Sequence, residues 1–404
     1  MAFNLKKLGP GLLFAGAAIG VSHLVQSTRA GADYGFGLVW ALLLIHLIKY
    51  PFFQFGPRYA SVTGLSLLDG YKTLGRGFLA LYFAVNLLTM FTIQAAVTIV
   101  CAGIAAYVFD FGLSVNSWAV IITAICLLIL LLGRFTLLDK LMKVIIVVLS
   151  LTTLAAVISA FGNGITETSL PQTFPMEGAG VAFLIAFMGW MPAPLDISIW
   201  QSLWTQEKAK TEQIETSESL LDFNIGYAGT IILGLGFISL GALVMYGSGQ
   251  TFSSSGVVFA QQLIDMYTGN LGSWAFVIIG IAAFTTMFST TLTTLDASPR
   301  AMAKTMSLLG RGKTLSSYTL WLLILASGTI LIFIFLTNEM TSLVQLATVL
   351  SFLTAPLYAV GNYLVMTGKT VPFEKQPKKP IKALSVTGII LLFAFSLWYI
   401  YILI

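Results

Sequence analysis

The chain has 404 residues, of which 57% are hydrophobic and only 9% charged, and its mean hydropathy is +0.91. A soluble domain carries about 25% charged residues, so a soluble enzyme is excluded and a multi-pass protein of the inner (plasma) membrane is expected. The basic balance, net charge +5 and pI near 9.1, does not point to nucleic acid, because no soluble domain is available to carry a basic face.

A membrane helix needs roughly 20 apolar residues. By that rule eleven spans are predicted, at 10–31, 35–57, 78–109, 116–133, 141–162, 179–204, 221–246, 273–298, 316–336, 342–366 and 383–403. The first is read as a true span and not a cleaved leader, since it is long, lacks a small-residue cleavage site and runs straight into the next hairpin. Two spans carry breaks near their centres: Gly20-Val21-Ser22-His23 in span 1 and Met191-Pro192-Ala193-Pro194 in span 6. Freed backbone groups at membrane depth are tolerated only where they line a cavity or bind something. Paired breaks of this kind point to a transporter's substrate site.

Spans 1–5 and 6–10 form two five-helix units, each opening on a broken helix. Five is odd, so the second unit starts on the opposite side of the membrane and the two units form an inverted repeat. The expected divisions are 1–162, 163–366, and 367–404 as a linker plus an extra helix. Of the 21 Lys and Arg, only Arg29 falls in an external connection and Lys49 within a span. The others, from Lys6 and Lys7 through Arg134 and Lys210 to Lys382, share one face, which places the N-terminus in the cytoplasm and the C-terminus outside. The charge-dense stretch 205–222 reads as a solvated linker. Cys101 and Cys126 read as buried apolar residues. No phosphate loop or catalytic motif is present, and no cofactor is expected.

Several short stretches then resemble one family. Gly9-Pro10-Gly11 opens span 1, and Ala30-Gly31-Ala32-Asp33-Tyr34-Gly35 with Trp40 resembles an AGxxYGY…LLW stretch. Arg58-Tyr59-Ala60-Ser61-Val62-Thr63-Gly64 resembles RLGxxTG, Met191-Pro192 opens an MPH motif, and Ser289-Thr290-Thr291-Leu292-Thr293 resembles SSTLTG. The chain is similar to Nramp-type metal-ion transporters. The resemblance implies an all-α polytopic membrane protein of LeuT-like fold, a 5+5 inverted repeat plus one extra helix, with helices 1 and 6 broken. It also implies secondary active transport by alternating access, with a coupling ion such as H⁺.

The family's metal ligands carry over poorly. Its span 1 Asp and Asn fall at Gly20 and His23, and the His of MPH falls at Ala193. A divalent ion in a low-dielectric cavity needs compensating charge, and hard metals prefer carboxylate oxygen. The usual transition-metal site is therefore expected to be lost or remodelled. The expected substrate-binding set is Gly20, Val21, Ser22, His23, Met188, Met191, Pro192 and Ala193, with His23 and Met191 as the remaining candidate metal ligands. His23, Lys49, Asp196 and His46 are the candidate coupling residues. Lys49 has two readings, a functional intramembrane cation or a side chain snorkelling to the interface. Asp296 reads as a structural partner of Arg300. The cargo readings are a small inorganic ion, or a small anion such as bicarbonate or a carboxylate-bearing metabolite. A non-transporting sensor is the third reading.

Overall fold

The computed structural model describes residues 9–132, 135–162, 171–209, 215–249, 252–253, 256–335 and 340–403, and every regular element among them is helical. Lys6, Lys7, Arg134, Lys210 and Glu212 lie outside the described residues. Helix α1 (Pro10–Ala18) starts with proline in its first turn, where the missing N–H is no loss. A π-helical turn (Ser22–Ser27) and α2 (Thr28–Tyr34) complete the first span, bent by 47° at the break. Helix α3 (Val39–Thr63) ends at Gly64, whose φ of 72° is the left-handed cap that favours glycine. Helix α4 (Leu67–Leu74) is a short surface helix started by a Ser66–Asp69 capping box. Helices α5 (Arg76–Phe109), α6 (Val115–Leu131) and α7 (Phe135–Gly162) follow.

The sixth span is α8 (Gly178–Trp190) followed by α9 (Ile197–Lys208). Proline at 192 and 194 withholds two N–H donors between them. Then come α10 (Thr216–Val244), α11 (Gly256–Leu271), α12 (Ala275–Leu308), α13 (Tyr318–Phe335), α14 (Met340–Thr367) and α15 (Lys379–Leu403). Seven of these helices are long and apolar enough to cross a membrane, and the bent first span adds an eighth. Helix α6, the 147–162 part of α7, and α8 are apolar but shorter. The elements thus keep the order of the predicted spans, with α4 and α11 as additions that apolar runs alone do not signal.

Two apolar cores hold the bundle. One joins α5, α6, α11, α12 and α13, and includes the buried cysteines Cys101 and Cys126. The other joins α1, α3, α8, α9, α10, α14 and α15 around Phe14, Phe53 and Tyr227. Helix α10 lies along both halves of the first span. A Cβ on Gly11 would stand 2.1 Å from the Asp222 carbonyl oxygen, and one on Gly226 would stand 2.2 Å from that of Gly11. In the other half, a Cβ on Gly31 would stand 2.1 Å from the Ile238 oxygen, and one on Gly241 equally close to that of Thr28. Only glycine permits these backbones to touch. Asp222, read from sequence as part of a solvated linker, is instead 6% exposed. Its carboxylate accepts the N–H groups of Gly9 (3.2 Å) and Gly11 (2.7 Å), supplying the charge that a helix N-terminus favours.

Candidate functional site

The two breaks meet. Ser22 Oγ bridges them, donating to Ala18 O at 2.7 Å within the first break and lying 3.2 Å from Pro192 O in the second. His23 is fully buried. Its Nδ1 lies 2.8 Å from Ser22 Oγ and 3.1 Å from Ala18 O, and its Nε2 lies 3.0 Å from Thr230 O on α10. The serine proton goes to Ala18 O, and a neutral ring carries one proton, donated to Thr230 O from Nε2 or to Ala18 O and Ser22 Oγ from Nδ1 according to the tautomer. Both nitrogens are thereby occupied within the protein. Ser27, one helical turn beyond His23, points its hydroxyl at Met191 Sδ at 4.0 Å. Val21 is buried in the first core.

Gly20 explains itself by what stands opposite. A Cβ there would lie 2.9 Å from both Cγ2 and Oγ1 of Thr290 on α12. Thr290 thus takes the space that a carboxylate at position 20 would need. The other hydroxyls of this α12 run turn back on their own helix, for example Thr291 to Met287 O and Thr294 to Thr290 O at 2.8 Å each.

The second break is organised by Lys49. This side chain does not snorkel: it is 0% exposed and enters the break from α3. Its Nζ donates to Met188 O (2.9 Å), Gly189 O (2.6 Å) and Met191 O (2.9 Å), and Ala193 O lies at 3.4 Å. Four carbonyls released where α8 ends therefore surround one ammonium. Met188 and Ala193 contribute oxygens here, with their side chains buried in the second core. Gly189 was not among the sequence candidates, since a carbonyl acceptor leaves no trace in residue identity. His46, one turn earlier on α3, donates from Nδ1 to Leu42 O at 2.7 Å and sits edge-on to Tyr227. Asp196 follows at the start of α9, buried, with no cation within ion-pair distance among the described residues. Asp296 is paired as expected, with Arg300 Nε at 2.7 Å and Tyr318 Oη donating at 2.7 Å.

Beyond the π turn, a cleft of about 220 Å³ opens between α2, α8 and α14. Gln26, Arg29, Phe183 and Gln345 line it. The Arg29 guanidinium lies 5.5 Å from the Phe183 ring, and its Nε and Gln26 Oε1 have no partner. Polar groups one and two turns beyond a helix break were the available signal for this cleft. Among the described residues no three His, Cys, Asp or Glu side chains gather as a metal cage.

The profile of the family described as natural resistance-associated macrophage protein-like matches residues 11–402. The chain belongs to the Nramp family. An uncharacterised protein of Pasteurella multocida is 37% identical over 401 residues, covering 97% of this chain and 91% of that one. Among solved structures, a mutant of the Eremococcus coleocola manganese transporter has a TM-score of 0.76 at 16% identity, covering 96% of this chain and 85% of the other. MhsT in complex with L-phenylalanine has a TM-score of 0.67 at 15% identity, covering 98% and 99%. These likenesses are of fold, and the fold is LeuT-like. In this Nramp chain the matched positions of span 1 and span 6 are the very segments that meet at Ser22 and Pro192.

Proposed function

We propose that this Nramp protein is a secondary active transporter, not an enzyme, that carries a small ion by alternating access around the two breaks. The observation that carries this reading is the abutment of two interrupted helices, where Ser22 at the first break reaches the Pro192 carbonyl in the second. Interrupted backbone is stable at membrane depth only around a cavity or a bound group. Family membership supports it, and so does the manganese transport named for the structural neighbours. The N-terminus is proposed to be cytoplasmic by the lysine and arginine bias. The cleft at Arg29 is then the external approach. The inverted repeat of 1–162 and 163–366, with 367–404 outside it, remains part of the proposal.

We further propose that the transition-metal site is remodelled. Gly20 offers no carboxylate, Thr290 fills the space, and His23 has both nitrogens engaged. The carbonyls at the second break, which would suit a cation, already hold the Lys49 ammonium. That buried cation favours the second reading, a small anion as cargo, because among the described residues no carboxylate lies within ion-pair distance of it. Uptake into proteoliposomes decides between them. Labelled Mn²⁺ and labelled bicarbonate are offered separately. Saturable bicarbonate uptake, lost in Lys49→Ala, with no calorimetric Mn²⁺ binding, establishes the anion. Micromolar Mn²⁺ binding abolished by Met191→Ala establishes the metal. No uptake across a panel that adds other small ions and small carboxylates defeats the transporter reading and leaves a sensor.

A further inference from the structure

One carboxylate near the second break takes no part in holding it. Asp196 is 3% exposed and its Oδ1 has no hydrogen-bond partner. It faces a narrow crevice between α5, α9 and α14 that has no room for a water-sized sphere. Oxygen-bearing side chains line that space: Thr89 from α5, and Ser351, Thr354 and Tyr358 from α14. Tyr358 Oη is unpartnered as well, as are Tyr82 Oη and both amide atoms of Asn86 just along α5. The rings of Tyr82 and Tyr358 meet at 6.0 Å.

The groups that bear on Asp196 can be taken element by element. Helix α3 presents Lys49, whose Nζ is committed to the carbonyls described above. Helix α4 presents Tyr71, whose hydroxyl donates to Asn362 Oδ1 at 2.7 Å. Helix α5 presents Tyr82 and α14 presents Tyr358, both phenols and so neutral at ordinary pH. Helix α1 carries no ionisable side chain, and Asp296 on α12 is already held by Arg300 and Tyr318. An ionised carboxylate so placed has lost its hydration and gained nothing for Oδ1 in exchange. Water cannot enter to solvate it, because a water needs room for at least one sphere of its own size. A proton needs no room.

We propose that Asp196 is the carrier of the coupling ion, a proton, on the transporter reading given above. The carboxylic acid keeps its proton while α5, α9 and α14 are closed on it. When α9 parts from its neighbours and water enters, the O–H bond breaks, the proton passes to water and the carboxylate is solvated. Reloading from the opposite side reverses the step. The neutral hydroxyls around the crevice, with Asn86, suit an acid that must donate, and Lys49, though it bears on Asp196, stands beyond ion-pair distance with its Nζ committed to carbonyls.

The first test needs no cargo. Infrared spectra of the purified full-length chain in lipid discs at neutral pH are expected to show the carbonyl band of a protonated carboxylic acid. Asp196→Asn is expected to lose that band and Asp196→Glu to restore it, with thermal midpoints checking that each variant folds. Identical spectra for the wild type and Asp196→Asn overturn the proposal. So does a rise in the wild-type midpoint with sodium chloride but not choline chloride that is absent in Asp196→Asn, since the site then takes sodium. The second test uses whichever cargo assay yields uptake. An acid-outside gradient is expected to accelerate wild-type uptake at least tenfold, and Asp196→Asn to lose that acceleration while keeping exchange at equal pH. A retained gradient response overturns the coupling role. If no cargo of that panel moves, transport fails as a reading, while the infrared result still judges the proton.

Discussion

At the first break the carbonyl of Ala18 is satisfied by Ser22 of the same segment, with the His23 ring beside it, whereas at the second the carbonyls of Met188, Gly189, Met191 and Ala193 turn to one ammonium from α3. The first break is closed locally by neutral groups. The second is closed from another helix by a charge. A locally closed break can rearrange with only its own side chains turning. The second cannot widen without Lys49 withdrawing or travelling with it, so the state of α3 is written into the second break. The difference also bears on cargo: only the second break presents carbonyl oxygens gathered about a single point, and that point already holds a cation.

The strongest challenge to this contrast is Lys49→Met, which leaves several buried carbonyls without a donor. Each unsatisfied group costs about 1–3 kcal/mol, offset in part by no longer burying the ammonium. A net loss of about 3 kcal/mol is expected, read from unfolding in detergent. Lys49→Ala sharpens it: ammonium ions are expected to restore part of the loss, and tetramethylammonium none. His23→Ala should follow at about 2 kcal/mol, from two lost hydrogen bonds. Ammonium should not rescue it, and rescue there would erase the contrast. Gly20→Ala brings a methyl group against Thr290 and is expected to cost about 1 kcal/mol as overpacking. The second substitution Thr290→Ala should relieve it. The smallest effect is expected of Ser22→Ala, about 1 kcal/mol or less. Its double-mutant cycle with Lys49→Met reports whether the breaks act apart, since independent sites add to within about 0.5 kcal/mol.

Much of this architecture was legible because bilayer physics writes itself into composition. Apolar runs marked the spans, and glycine, serine and proline at their centres marked both breaks. Lys49 stood out because charge within a span is rare. Its acceptors did not, since carbonyl oxygens are common to every residue. Thr290 opposite Gly20 and Thr230 opposite His23 arise from tertiary contact, which one sequence does not display. Asp222 misled for a related reason: it shares a stretch with solvated Glu and Lys, yet the helix bearing it begins beneath the N-terminus of α1. The short helices α4 and α11 went unseen because they lack a spanning apolar run.

The paired glycine contacts along α10 have a mechanical consequence. Gly11 with Gly226, and Gly31 with Gly241, press α10 against the first broken helix on both sides of its break. A continuous helix of 29 residues thus acts as a splint across the fracture. The halves of the other broken helix take their close backbone seats on different neighbours, Gly189 of α8 against Thr348 on α14 and Ser198 of α9 against Gly56 on α3, and are tied across the break by Lys49 of α3. Two fractures of similar appearance then have unequal freedom. The splint keeps the two halves of the first span in register, and the second break opens only as far as the Lys49 tie allows.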